Sequence, residues 1–507
     1  MLDKYVARIL RARVYDVAVE SPLEPATHLS RLLRNHIYMK REDLQPVFSF
    51  KLRGAYNKIS QLTEAERQAG IIAASAGNHA QGVALAAHQL HLAALIVMPR
   101  TTPEIKINAV RRLGADTLLF GDSYDEAYQE AHQIALKRGL TFIHPYDDPD
   151  VIAGQGTVAV ELVRQFQHPI DAVFVPVGGG GLIAGIAAYL KFVRPNTLVI
   201  GVEPEDSDCL NQALKAGRRV CLKQVGLFAD GVAVKQIGKE PFQIAQHHVD
   251  EVITVSTDEI CAATKDLFDE TRSIAEPAGA LAMAGLKKYI ETRQPENQHL
   301  IAITSGANIN FDRLRHMAER TLLGEHRELL MAVTIPEEPG SFLSFCEALG
   351  QRNITEFNYR YAQAAQAHIF VGVQIERHGA ELLMASLREK HYEVTDMTTN
   401  DLAIEHMRFM VGGHAPNIID ELVYRFEFPE RPGALLSFLT ALSGRWNITL
   451  FHYRNHGSAF GRVLMGMQVP PRDRARFKSF LKEAGIAFQE ETQNPAYALF
   501  AGDKSPA

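Results

Sequence analysis

A lysine set among small and apolar residues is the first place in this chain where covalent chemistry could be done. Ser49-Phe50-Lys51-Leu52-Arg53-Gly54-Ala55 follows the turn-forming Gln45-Pro46. An amine held in such surroundings loses its proton more readily than a solvated one. The neutral amine is the nucleophile that makes a Schiff base with a carbonyl compound. Most lysines are instead solvated surface charges, so Lys51 needs company before it reads as a catalytic group. Three stretches supply it. In Ser75-Ala76-Gly77-Asn78-His79-Ala80-Gln81-Gly82, small residues lie between a strand-like run and a helical one. Their exposed N–H groups at a helix start suit a substrate carboxylate, although alone the loop reads first as a tight turn capped by Asn or Ser. In Val177-Gly178-Gly179-Gly180-Gly181-Leu182, four glycines join a strand to a helix. They allow close backbone approach and leave free N–H groups that cup a phosphate. No Gly-Lys-Ser/Thr follows and no dinucleotide unit surrounds them; a flexible turn is the alternative. Thr304-Ser305-Gly306-Ala307-Asn308 follows an apolar run, where Ser305 could hydrogen-bond a ring nitrogen, though Ser-Gly is also common turn chemistry.

These residues act together only if a scaffold gathers them. Over the first 320 residues strand-like runs at 71–74, 93–98, 117–120, 172–177 and 198–202 alternate with helical periodicity at 80–90, 103–113, 124–138, 154–166 and 182–192. That alternation predicts an α/β protein with largely parallel sheets. Ligands of such folds bind in the strand-to-helix loops at the carboxyl ends of strands, which is where the glycine-bearing loops fall.

Whole-chain properties narrow the field. A chain of 507 residues is long enough for two or three domains. With 46% hydrophobic and 22% charged residues it is ordinary globular material, and a net charge of −6 points away from nucleic acid and membrane surfaces. Cys209, Cys221, Cys261 and Cys346 show no metal-type spacing and read as reduced thiols of a cytoplasmic protein. Residues 1–20 are charged, so no signal peptide is expected, and no run of apolar residues has the length of a transmembrane helix.

After residue 321 the glycine loops stop and the chain repeats itself. Ile335-Pro336-Glu337-Glu338-Pro339-Gly340-Ser341-Phe342-Leu343-Ser344-Phe345 matches Phe428-Pro429-Glu430-Arg431-Pro432-Gly433-Ala434-Leu435-Leu436-Ser437-Phe438 at an offset of 93. Asn353-Ile354-Thr355-Glu356-Phe357-Asn358-Tyr359-Arg360 matches Asn447-Ile448-Thr449-Leu450-Phe451-His452-Tyr453-Arg454 at an offset of 94, one residue being inserted near Trp446. Each copy predicts strand, Pro-Gly turn, helix, two strands and a second helix, the ferredoxin-like order.

Lys51, the 75–79 loop and the glycine run, in this order, resemble the tryptophan-synthase-β-like (fold-type II) pyridoxal-phosphate enzymes. Lys40-Arg41-Glu42-Asp43, the segment around Lys51, residues 75–82 and Glu276-Pro277-Ala278-Gly279-Ala280 are similar to those of the serine/threonine dehydratases. The doubled tail resembles the paired ACT-like domains of the biosynthetic threonine dehydratases. The resemblance implies two α/β subdomains in a catalytic domain at 1–323, then ACT-like regulatory domains at 329–400 and 422–495. It implies pyridoxal 5′-phosphate on Lys51, with Phe50 beside the ring, Asn78 near the 3′-oxygen, Gly178, Gly179, Gly180, Gly181 and Leu182 on the phosphate, and Ser305 facing the ring nitrogen. Ser75, Ala76, Gly77, Asn78 and His79 would receive the substrate. The implied reaction converts L-threonine, and L-serine besides, to the 2-oxo acid and ammonia, with Lys51 as the Cα base. A neutral serine at the ring nitrogen would limit carbanion delocalisation and favour prompt loss of the β-hydroxyl.

Isoleucine as inhibitor, valine as its antagonist and a homotetramer come with the same resemblance, with Tyr359 and Tyr453 as effector contacts or as ordinary packing. A catabolic dehydratase and a non-catalytic amino-acid sensor are the competing readings. Two departures stand out. Serine racemases of the family have a second serine where Ala76 stands, so racemisation is disfavoured. Metal-binding members use an acidic cluster beginning at the position of Glu203, but its third ligand position carries Cys209, so no metal is expected, and Asp206 and Asp208 read as solvated turn residues.

Overall fold

The computed structural model describes residues 2–494 and 497, except 312, 326, 362–365, 377–378, 406, 411, 413–414, 416–417, 430–435, 438, 441–444, 455–459 and 484–486. It divides into two units, Met1–Gly324 and Glu325–Ala507.

The first unit is built on two sheets. One has six strands in the order Leu23–Pro25, His36–Arg41, His299–Thr304, Ala172–Pro176, Leu198–Pro204 and Glu251–Val255, all parallel except the first. The other has four parallel strands in the order Asp116–Leu119, Ala94–Met98, Ile71–Ala74 and Thr141–Phe142. Central strands such as Ile71-Ile72-Ala73-Ala74 and Ala172-Val173-Phe174-Val175-Pro176 are buried at every residue, because helices cover both faces of a parallel sheet. Caps rather than apolar periodicity set some helix starts. The helix expected from residue 154 begins at Pro149, where the Asp148 carboxylate accepts the N–H groups of Asp150 and Val151.

Lys51 opens the helix Lys51–Ser60, which glycines pin between two others. A Cβ on Gly54 would come within 2.4 Å of the Gln155 side chain, and one on Gly154 within 2.6 Å of Arg53 O. A Cβ on Gly82, in the helix Asn78–Gln89, would lie 3.0 Å from Leu52 N. Just past Lys51, Arg53 anchors a wholly buried charge network. It reaches Glu42 through Nε at 2.8 Å and Glu161 through Nη1 at 2.6 Å, while Lys40 Nζ donates to Glu161 at 2.6 Å. Two cations meet two carboxylates, so the network is neutral, and hydroxyl, amide and carbonyl partners fill its remaining positions. Removing one partner from such a group strands a charge in low dielectric, at about 3–5 kcal/mol.

The second unit is one antiparallel sheet of eight strands: Glu393–Asp396, Glu328–Pro336, Gln366–Gln374, Ile354–Arg360, Asn447–Arg454, Phe460–Gln468, Glu421–Pro429 and Ala487–Glu490. Each repeat contributes four, and the repeats join along their second strands. Phe357 lies opposite Tyr453 and Tyr359 opposite Phe451, with Asn358 opposite His452 at the centre. Asn358 and His452 are counterparts in the repeat, and the pairs on either side exchange counterparts (Phe357 with Phe451, Tyr359 with Tyr453), so a pseudo-twofold axis passes through the Asn358–His452 pair. The helices Ser341–Leu349, Ala380–Glu389 and Arg474–Glu483 bury Phe342, Phe345, Leu349, Leu383, Leu387, Phe477 and Leu481 in a single apolar cluster. The first helix expected in the second repeat, with its Pro432-Gly433 turn, lies outside the described residues. Among the described residues no helix is long and apolar enough to cross a membrane.

Candidate active site

The Lys51 amine is enclosed by the chain. Nζ donates to Pro145 O at 3.4 Å and stands 5.2 Å from the Phe50 ring centroid. Burial brings its pKa down to about 8, with Glu276 opposing the shift. Roughly a tenth of such amines are neutral at pH 7, against fewer than about one in a thousand for an unperturbed lysine. The neighbouring backbone is tied to the loop after the strand His299–Thr304: Phe50 N donates to Ser305 O at 3.3 Å and Ala307 N to Phe48 O at 2.9 Å. Ser305 is buried at the end of that strand, its hydroxyl donating to Ala278 O at 3.2 Å.

Asn78 begins its helix at the end of the strand Ile71–Ala74, beyond the loop of Ser75, Ala76 and Gly77. Both ends of its amide are held: Nδ2 donates to Glu276 Oε1 at 2.5 Å, and Oδ1 accepts from Asn308 Nδ2 at 2.7 Å. Ser75 Oγ accepts the N–H of Gly77, and a side chain on Gly77 would meet nothing within 4 Å, so the loop borders open space. His79 turns inward to Ile143 O at 2.9 Å, and burial lowers its pKa to about 3. It is therefore neutral, with its proton on Nε2.

Residues 178–182 pass from the strand Ala172–Pro176 to the helix Gly181–Val193. Gly180 has φ +89°, which glycine adopts without strain. A Cβ on Gly179 would fall 2.1 Å from the Tyr146 ring, and one on Gly178 2.8 Å from Val232 Cα. The loop is thus a side-chain-free floor closed by Tyr146 and by the turn Asp230–Val232. Below it Cys209 Sγ donates to Gly178 O at 3.5 Å. Glu203 accepts the N–H groups of Leu210 and Asn211 at 2.9 and 2.8 Å, and burial raises its pKa to about 8. Its carboxyl caps the helix Cys209–Ala216. Asp206 is exposed, and Asp208 accepts from Asn211 Nδ2 and Gln212 Nε2.

Sequence reasoning gave several neighbours no role. Glu276 stands at the N-cap of the helix Pro277–Arg293, yet its carboxyl makes no cap bond and goes to Asn78 instead. Burial, reinforced by Asp230, raises its pKa to about 7. The motif Glu276-Pro277 was the available signal, but nothing local says that an acid before proline will leave its own helix. His144, Pro145 and Tyr146 form another missed group. His144 Nδ1 accepts the N–H groups of Tyr146 and Asp147, and burial lowers its pKa to about 4, so the ring is neutral. Lys106 was missed too; it lies on the helix Glu104–Arg112 and meets Asp230 at 2.6 Å across the cleft between the two sheets.

The family model of pyridoxal-phosphate-dependent enzymes matches residues 15–306, and the model of the C-terminal regulatory domain of threonine dehydratase matches 319–407 and again 412–501. The chain is 56% identical over 500 residues to the biosynthetic L-threonine dehydratase IlvA of Burkholderia multivorans, covering 98% of this chain and 99% of that one. It is 51% identical to the Escherichia coli biosynthetic enzyme, covering 98% and 97%. Among solved structures, the processed form of threonine deaminase isoform 2 from Solanum lycopersicum superposes with a TM-score of 0.63 at 51% identity, over 64% of this chain and 88% of that one. The match to the enzyme model over the glycine-loop unit, the doubled match to the regulatory-domain model over the tail and identity over nearly the full length place this chain in the biosynthetic threonine dehydratase family of pyridoxal-phosphate-dependent enzymes.

Proposed function

We propose that this chain converts L-threonine to 2-oxobutanoate and ammonia, the committed step towards isoleucine, and that its tail restrains it in response to amino-acid effectors. The observation that carries the reading is an enclosed lysine amine brought down to about 8 on the same cleft as a floor stripped of side chains. Pyridoxal 5′-phosphate fits these residues. Lys51 would hold its aldehyde, the free N–H groups at the helix start by Gly178, Gly179, Gly180, Gly181 and Leu182 would hold its phosphate, and Phe50 would flank its ring. When bound, the cofactor supplies an electron sink for bond breaking at Cα.

The chain's own groups do the rest. Lys51, as a free amine, takes the Cα proton at neutral pH. The loop of Ser75, Ala76, Gly77, Asn78 and His79 offers backbone donors to the substrate carboxylate. Asn78, locked from both sides by Glu276 and Asn308, would meet the ring 3′-oxygen. Ser305 would give the ring nitrogen a neutral partner. L-Serine, one methyl smaller, enters as a second substrate. Isoleucine inhibits and valine opposes it through the tail, at residues including Tyr359 and Tyr453. We assign the catalytic domain to residues 1–323 and the regulatory domains to 329–400 and 422–495, in a cytoplasmic homotetramer.

The test is 2-oxobutanoate formation from L-threonine by purified protein, with and without isoleucine. Turnover suppressed by isoleucine supports both halves of the reading. Unsuppressed turnover removes isoleucine as the effector. Absence of turnover in protein carrying its cofactor rejects the threonine assignment.

A further inference from the structure

Residues 143–148 carry the chain from the strand Thr141–Phe142 of the four-stranded sheet to the helix Pro149–Gln165, which packs against the Lys51 helix. Both ends of this crossing are held from outside it. Ile143 O accepts from His79 Nε2 at 2.9 Å. The Asp147 carboxylate accepts the N–H groups of Lys239 and Glu240 at 2.9 and 2.8 Å, and Asp148 caps the helix it precedes. The middle is held from within. Pro145 has no N–H to offer, and the N–H groups of Tyr146 and Asp147 both go to one acceptor, His144 Nδ1, at 3.2 and 2.8 Å. A side-chain acceptor that gathers backbone N–H groups just ahead of it in the chain is the device of an Asx turn, here made by an imidazole. The nitrogen serves only while it carries no proton. Burial brings the ring's pKa down to about 4; Asp147 and Asp148 oppose the fall, and His132 and Lys51 add to it. At neutral pH Nδ1 is therefore a bare acceptor and the ring proton sits on Nε2.

The turn so held touches the two parts of the site that must keep register. Pro145 O is the acceptor of Lys51 Nζ, at 3.4 Å. The Tyr146 ring lies on Gly179, where a Cβ would fall 2.1 Å from it, and Tyr146 Cα stands 3.1 Å from the place of a Cβ on Gly181. Gly179 O in turn accepts from Gly238 N at 3.1 Å, next to the Lys239 and Glu240 N–H groups that hold Asp147. We propose that His144 is a positioning residue of the active site: through its Nδ1 lone pair it fixes the turn 144–147, and the turn sets the Lys51 amine at its distance from the glycine floor. The proposal deepens the reading of that cleft as the pyridoxal-phosphate site and rests on it. An aldehyde and a phosphate carried on one rigid ring demand a single separation between amine and floor. Without the acceptor, two N–H groups lose their partner, and a backbone free to reorient no longer presents Pro145 O to the amine or Tyr146 to Gly179. His144 acts through Pro145 and Tyr146, not on the reacting atoms.

Two substitutions separate the acceptor from the ring. His144→Asn keeps an acceptor in the same place, since asparagine Oδ1 and histidine Nδ1 are both bonded to Cγ, and discards the ring. His144→Phe keeps a ring for the edge contacts with Tyr128, Phe142 and Tyr146 and discards the acceptor. The cofactor is stripped from each purified protein, and binding of added pyridoxal 5′-phosphate is titrated by its visible absorbance. Then kcat and KM for L-threonine are measured at saturating cofactor. His144→Asn should stay within about threefold of wild type in cofactor affinity and in kcat. His144→Phe should bind cofactor at least about tenfold more weakly and lose at least about tenfold in kcat, with KM changed by less than about threefold. Cofactor affinity in His144→Phe equal to or above that in His144→Asn makes ring packing the whole role and overturns the proposal. If His144→Phe fails to fold, His144→Asn decides: wild-type affinity supports the acceptor role, and a loss of about tenfold or more overturns it. Wild-type protein that takes up no cofactor rejects the reading of the cleft and this proposal with it.

Discussion

Particular carboxylates of the two units are treated oppositely. In the first, both oxygens of Glu161 are taken: Tyr15 and Arg53 donate to one, Ser21 N, Lys40 and Arg53 to the other. Glu42 is filled in the same way by Ser21, Gln45 and Arg53. In the second unit Glu337 has one tyrosine and an idle oxygen. A carboxylate whose positions are all filled is scaffold: it fixes the backbone around it and has nothing left to offer a ligand. One with a vacant position next to a cavity is receptive. Lys51 is the same case with the sign of charge reversed, an amine whose one hydrogen bond among the described residues, to Pro145 O at 3.4 Å, is long and weak.

Substitutions can break this contrast at either end. Lys51→Ala removes the receptive amine and should lower threonine turnover by about 10³-fold or more; turnover within tenfold of wild type would remove Lys51 from the chemistry. Arg53→Met opens the closed network and should cost about 3–5 kcal/mol, read from urea unfolding. A loss below about 1 kcal/mol would show that the network is slack. Gly179→Asp places a Cβ where the Tyr146 ring now lies and a charge where a phosphate would bind. Purified protein should carry little cofactor absorbance, and normal cofactor content would place the phosphate elsewhere.

A pH experiment on the cofactor-free protein separates Glu276 from the closed network. Its pKa rises on folding from 4.5 to about 7, so between those values the native state holds a proton that the unfolded chain has released. Its contribution to stability is therefore full below about pH 4.5 and is lost as pH rises through 7. Glu276→Gln should gain stability relative to wild type across that window by up to about 3 kcal/mol; parallel stability curves would deny the shift. At the small end, Glu337→Gln should change stability by less than about 1 kcal/mol, since the idle oxygen contributes no bond to lose. A loss as large as that of Arg53→Met would make Glu337 scaffold after all.

Much of the catalytic unit was legible because its signals are local. The glycine run at residues 178–181 and the alternation of strand and helix both lie within short windows, so the loops could be placed before any tertiary information. Glu276 shows the limit: it meets Asn78 across 198 positions of chain, and periodicity says nothing about such a meeting. The Lys106–Asp230 pair escapes for the same reason. In the tail the repeat announced two ferredoxin-like units, but not that they share one sheet. Pairing between Ile354–Arg360 and Asn447–Arg454 is set by which edge each repeat leaves open, and each copy's own sequence is equally consistent with a solitary four-stranded sheet. Trp446 beside Glu337 depends on that pairing and was invisible for that reason.

The shared sheet also bears on how the tail stays out of aggregates. An open sheet ends in two strands whose unpaired N–H and C=O groups can recruit a neighbouring molecule. Here the outermost strands are Glu393–Asp396 and Ala487–Glu490, four residues each, with Glu393, Asp396 and Glu490 among them. The longer strands of seven and eight residues, Ile354–Arg360 and Asn447–Arg454, are sealed against each other at the centre. A tail trimmed to a single repeat would bare one of them, a long edge with unpaired N–H and C=O groups ready to pair with a chain nearby. Duplication has thus turned two sticky margins into an internal seam, and a halved tail is expected to be the insoluble one.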